Sequence, residues 1–230
     1  MKSKLAGVGD SRRYTVVNRS GLLGIAAATF IVAGSVSANA SNLWIDDVNG
    51  NIGLVDTATG TIVSGTLHPT GQIFTDIGFI GSQMYGTTFT GLFTVDRNTG
   101  TSVQIGSNYP AAVGNGMNAL VGTTNVLLGA SNATNTFFNV FPTNATISPA
   151  GNSPLTSAGD LAFVGSTLYE SGVGAGGQDA LVNLTTNQVI GLFHLGAQTF
   201  NTVFGLAYDG TTMFAVDGTD IYSVNLADAR

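Results

Sequence analysis

Two aspartates, Asp76 and Asp160, each stand five residues before a glycine (Gly81 and Gly165), in segments of matching pattern, DIGFIG and DLAFVG. A pair of carboxylates facing one cavity could serve as acid and base on a glycosidic or similar bond. Glu170 is the only glutamate in the chain, so such a pair has to come from Asp. The competing reading is that each Asp pairs with its local backbone.

A second gathering of oxygen donors is DDVNGN, where Asp46, Asp47, Asn49 and Asn51 surround Gly50. Calcium takes Asp and Asn oxygens from tight loops, and it is the ion these donors suit. No bidentate Glu follows at the EF-hand spacing, and a hairpin loop explains the same residues. His68 and His194 lie in different parts of the chain without metal-ligand spacing. Gly172, Gly174 and Gly177 spell a dinucleotide fingerprint, but that motif needs a parallel strand before it and a helix after it. Here it joins two segments that read as antiparallel strands, so it is expected to be a loop. The chain has no cysteine and no G-x-S-x-G, Walker or H-E-x-x-H pattern. Calcium aside, no cofactor is expected.

The elements that must position these residues come from a repeat. Valines at 55, 95, 140, 182 and 224 each precede a turn and lie 40, 45, 42 and 42 residues apart. Gly81, Gly122, Gly165 and Gly210 form a second landmark, at intervals of 41, 43 and 45. In GLFTVD, Leu92 and Thr94 face one way and Phe93 and Val95 the other, which is strand alternation. The turns VDTATG and VDRNTG explain themselves. Asp56 and Asp96 hold the backbone two residues on, and Gly60 and Gly100 supply a left-handed residue. Where Gly is missing, Asn144 and Asn187 are expected to take that conformation.

A four-stranded unit of about 42 residues cannot cover both of its faces, whereas several units stacked around an axis can. The expected fold is an all-β propeller of about five four-stranded antiparallel blades, incomplete at its ends or part of a longer ring. VDTATGTIVSGTL and GLAYDGTTMFAVDGTDIYSVNL resemble blades of YVTN-type and quinoprotein-like propellers, which bacteria and archaea commonly export. TLYESG and MFAVDG stand where the YVTN signature itself would be. The chain is also similar to PEP-CTERM sorting substrates, without their C-terminal Pro-Glu-Pro, apolar helix and basic tail.

Residues 1–40 read as an address. Lys2, Lys4, Arg12, Arg13 and Arg19 precede the apolar run Gly21 to Ser35, which ends at Ala38-Asn39-Ala40. A basic region, a short apolar core and an A-x-A site make a secretory signal, with cleavage expected between Ala40 and Ser41. The run is short for a membrane span, so no span is expected in the mature chain. SRRYTVV resembles a twin-arginine signal, with Thr15 in place of the preferred Phe. The body, 41–230, keeps Arg97 and Arg230 against twelve acidic residues, a net charge of −10. Nucleic acid is therefore set aside as a partner, and anionic membrane surfaces are disfavoured for the same reason. The function expected is that of an exported binding or surface-interaction module in the periplasm, at the cell surface or outside the cell. Its partner is a protein, a glycan or a small molecule. The alternative is a propeller hydrolase, lyase or quinoprotein-like oxidoreductase working in the central channel. Quinones call for basic and metal-ligating groups that this body lacks.

Overall fold

A computed structural model describes residues 13–15 and 42–230. β1 (Arg13–Thr15) comes first. Blade 1 holds β2 (Asn42–Asp46), β3 (Asn51–Asp56), β4 (Thr61–Ile62) and β5 (His68–Pro69). Blade 2 runs through β6 (Asp76–Ile80), β7 (Gln83–Thr87), β8 (Leu92–Val95) and β9 (Ser102–Ile105). Blade 3 follows with β10 (Met117–Gly122), β11 (Leu127–Ser131), β12 (Thr136–Val140) and β13 (Ile147–Asn152). Blade 4 contains β14 (Thr156–Val164), β15 (Thr167–Val173), β16 (Asp179–Asn183) and β17 (Gln188–Leu192). A small hairpin of β18 (His194–Leu195) and β19 (Gln198–Thr199) comes after it. Blade 5 has β20 (Val203–Tyr208), β21 (Met213–Asp217) and β22 (Asp220–Val224), with β1 antiparallel to β22 on the outside.

The chain is thus a five-bladed β-propeller of four-stranded antiparallel sheets. The gap expected at the outer edge of the last blade is filled by Arg13–Thr15, residues that the sequence places in the leader. The rest of the leader, including the expected cleavage site at Ala38, Ala40 and Ser41, lies outside the described residues. In blade 1, Leu43 pairs with Val55 as Met84 pairs with Val95, so β2 holds the second position, as expected. β4 and β5 pair with opposite ends of β3 and share the outer position.

Both faces of every blade are apolar, and each is covered by a neighbour. Ile52, Met84, Phe93 and Val95 fill the space between blades 1 and 2. Leu92, Leu120, Leu127 and Phe138 join blades 2 and 3. Ala130, Leu161, Leu168 and Val182 join 3 and 4, and a larger cluster around Leu181, Phe200, Met213 and Tyr222 joins 4 and 5. Val55, Phe214 and Ile221 close the ring between blades 5 and 1. A fully buried Leu or Phe contributes roughly 1.5–3 kcal/mol, against about 1 kcal/mol for one hydrogen bond. The clusters therefore hold the ring, and the bonds set its register.

Inner strands begin at one end of the ring, called upper here. Second strands end there, third strands begin there, and the turns from outer strands to the next blade pass over it. The repeated Asp turns lie at the lower end. Asp56 and Asp96 accept from Ala58 and Asn98 N–H, each at 2.8 Å. The left-handed residue is always the fourth after the capping position: Gly60, Gly100, Ala145, Asn187 and Ala229. Asn187 behaves as expected. In the third unit Ala145 takes the conformation, because Asn144 offers its Oδ1 to the Thr146 N–H and hydroxyl instead.

Gly100 separates two demands on such a turn. Its φ is +76°, and a Cβ there would lie 2.3 Å from the Pro69 carbonyl oxygen. Gly81, with φ +58°, has open space around it. A left-handed L-residue costs roughly 1–2 kcal/mol, so Gly81→Ala should lose about that much. Gly100→Ala should lose clearly more, because backbone must move. Each kcal/mol corresponds to about 2–4 °C in Tm at this size. Calorimetry returning equal losses would contradict the close approach.

Candidate functional site at the upper end of the ring

Asp76 opens β6. Its Oδ1 accepts the Ile77 N–H at 2.6 Å, and its Oδ2 accepts the Leu120 N–H from β10 of the next blade. Asp160 repeats this grip two blades on. It accepts from Leu161 N–H and, across to β20, from Leu206 N–H, both at 2.5 Å. The two carboxyls also feel each other, the charge of Asp160 raising Asp76. Each member is therefore tied to backbone, on its own strand and on the next blade.

Burial is the main force on these groups. It raises Asp160 to about 7, against the lowering effect of Asp76 and of the bonds from Leu206 and Leu161. It raises Asp76 well above the usual carboxylate range, helped by the charges of Asp160 and Asp46. Both carboxyls therefore keep their protons to higher pH than an exposed aspartate does. Asp46, at the end of β2, belongs to the same group. Desolvation raises it to about 7, with the charge of Asp47 adding.

The four residues of the expected calcium loop are divided. Asp47 Oδ1 accepts the N–H groups of Asn49 and Asn51, each at 2.9 Å, and Asn51 Nδ2 donates to both of its oxygens. That carboxylate is occupied by its own loop, while Asp46 senses the inner ring. Among the described residues, no three His, Cys, Asp or Glu side chains converge as metal ligands. His68 sits on β5, and His194 on β18, with Nδ1 3.1 Å from the Gly196 carbonyl oxygen. The glycines at 172, 174 and 177 lie in and around the loop between antiparallel β15 and β16.

Other groups at this end escape a reading by motif. Glu170 on β15 is 1% exposed, and its carboxyl takes the Ser153 hydroxyl. Burial raises it to about 7. Blade 2 has Gly86 at the matching position, where a Cβ would press 2.6 Å against the Phe74 ring. An acid in one blade thus stands where another blade packs an aromatic. Asp179 opens β16 and accepts the Val203 N–H of blade 5 at 2.7 Å; burial first, then the charge of Asp217, raises it to about 6. Hydroxyls close the second strands. Thr87 meets the Tyr109 hydroxyl at 3.0 Å, and Ser131 and Ser171 donate to the Val113 and Val203 carbonyls at 2.7 Å. Their intervals, 44 and 40, match the repeat.

Charge and apolar surface are both unevenly shared between the two ends. Asp46, Asp47, Asp76, Asp160, Glu170, Asp179, Asp217 and Asp220 lie at the upper end, on strand ends or the loops joining them. Arg97 and Arg230 both lie at the lower end, Arg230 paired with Asp228 at 3.1 Å. Of the exposed large apolar side chains, Val48, Ile73, Phe89, Val173 and Phe204 ring the upper end. Asn118 is buried beneath them. Its Nδ2 donates to the Ser157 carbonyl at 3.3 Å, and its Oδ1 has no partner, as is also true of the Ser157 hydroxyl. A surface hollow of about 400 Å³, lined by Tyr208, Thr211 and Asn225 among others, opens at the lower end.

No protein-family profile matches the chain, and no curated protein matches its sequence. Several solved structures share its shape. A nidogen/laminin complex chain gives a TM-score of 0.50 at 12% identity, over 81% of this chain and 89% of that one. The glutaminyl cyclase of Myxococcus xanthus, a β-propeller, gives 0.50 at 13% identity, over 75% and 80%. A catalytically inactive virginiamycin B lyase from Staphylococcus aureus, with quinupristin, gives 0.44 at 14% identity, over 79% and 61%. The chain spans 58% of the computationally designed Ika8 protein. At these identities the likeness is one of fold alone.

The raised carboxyls set a sign for pH dependence. Unfolded, they lose their protons near pH 4; folded, Asp46, Asp160 and Glu170 hold theirs to about 7 and Asp179 to about 6. The native state binds more protons across this window, so its stability falls as pH rises through it. The urea midpoint should be higher at about pH 5 than at about pH 8. Asp76→Asn with Asp160→Asn should flatten that difference. A midpoint that rises toward pH 8 would overturn the assignment.

Proposed function

We propose that this chain is an exported, non-catalytic binding module that meets its partner with the upper end of the ring. One observation carries the reading. The buried carboxyls that could act as acid or base there spend their oxygens on a neighbouring strand. Asp76 holds Leu120, Asp160 holds Leu206, Asp179 holds Val203, and Glu170 takes the Ser153 hydroxyl. These groups fasten blades, and what remains for a partner is the apolar rim and the negative field above them. The leader pattern of residues 1–40, with its A-x-A site, supports export. So does the resemblance of the blades to YVTN-type exported propellers.

A second reading has one observation in its favour. Asp76 and Asp160 are both buried at the starts of inner strands, and the charge of Asp160 raises Asp76, as in an acid–base carboxyl pair. It would make the chain a channel hydrolase or lyase. The quinoprotein version lacks the cationic groups such a cofactor needs.

Turnover decides between the two. Wild type and the Asp76→Asn/Asp160→Asn variant should be indistinguishable on ester, glycoside and lactone substrates. A turnover present in wild type and lost in the variant, with its circular dichroism spectrum intact, would establish the enzyme instead.

A further inference from the structure

We infer that the upper end of the ring recognises a basic segment of a partner protein, one in which Lys or Arg alternates with apolar side chains. This rests on the binding reading above and names the chemistry of the partner.

Three independent observations converge. The first is charge. The upper end gathers eight acidic residues, four of which (Asp46, Asp76, Asp160 and Glu170) burial keeps partly protonated near neutrality, while Arg97 and Arg230 lie at the opposite end. Among residues 42–230 acids and arginines are thus held apart, and this end favours an arriving cation. The second is the rim. Val48 and Ile73 are 81% and 63% exposed, and with Phe89, Val173 and Phe204 they put apolar surface on loops and strand ends of blades 1, 2, 4 and 5. Apolar groups so placed around an acidic centre match a ligand with apolar and positive groups side by side. The third is hydrogen bonding. Asn118 Oδ1 and the Ser157 hydroxyl are buried without partners at this end, and buried polar atoms are normally satisfied. Lys and Arg bring only donors, and Asn118 Oδ1 can only accept.

The breadth of the rim selects the kind of molecule. Contacts to the rim side chains must span four blades. An extended peptide segment spans such a face, whereas a small molecule reaches only part of it.

Fluorescence anisotropy on the full chain tests this, with labelled peptides of repeating Lys-Phe-Gly, Ser-Phe-Gly and Glu-Phe-Gly. The Lys-Phe-Gly peptide should bind at least about tenfold more tightly than the Glu-Phe-Gly peptide. It should weaken steeply between about 0.01 M and about 1 M NaCl, as the screening length falls from about 30 to about 3 Å. Val48→Lys with Ile73→Lys, both exposed, should cost about tenfold. Val103→Lys with Val189→Lys, on outer strands β9 and β17, should leave binding unchanged. If the serine or glutamate peptide binds equally well and the rim variant still weakens it, the charge class is wrong and the face stands. If no peptide binds, or the rim variant changes nothing, the face is wrong as well. Circular dichroism of each variant separates lost binding from lost fold.

Discussion

A sheet of four short strands has two faces, and in this chain both are apolar. Only another sheet can cover them, and covering both requires a neighbour on each side. Five clusters between five pairs of adjacent blades meet that demand, the last one joining Val55 to Phe214 and Ile221 across the ends of the ring. Most other features depend on this closure. It brings the inner strands together, and with them the first residues of those strands.

The effect of such crowding is plain at the upper end. A carboxyl at the start of an inner strand is withdrawn from water, and it needs donors or a proton. Asp76 and Asp160 obtain both: backbone N–H groups from the next blade, and protons kept to higher pH. The same bonds stitch blade 2 to blade 3 and blade 4 to blade 5. Asn118 makes the corresponding link from blade 3 to blade 4 with a neutral amide. Acidity at this end is thus a by-product of fastening, and it leaves an acidic face that the apolar loops surround.

Much of the fold was legible in the sequence because its cause is periodic. The alternation in GLFTVD placed Leu92 and Phe93 on opposite faces, and the structure seats them in different inter-blade clusters. The Asp turns were legible because one residue type does one local job. The site was less so. Asp76 and Asp160 could be paired by position, but how strongly each feels the other depends on how far the ring contracts, which no local pattern encodes. Glu170 stood out only as a solitary acid. Its meaning comes from the space that Gly86 yields to Phe74 in another blade. Thr87, Ser131 and Ser171 recur at the blade interval, yet the change from Thr to Ser and the varied acceptors hide the recurrence. The outer strand of blade 5 was missed because Arg13–Thr15 lie in a segment whose composition speaks of targeting.

The separation of acids from arginines along the ring axis has an orientational consequence. With its negative charge weighted to one end, the body carries a permanent dipole moment parallel to that axis. Beside an anionic surface, within the reach of about 8 Å that physiological salt leaves to such forces, it experiences a torque. That torque presents Arg97 and Arg230 to the surface and turns the acidic mouth outward, into the medium.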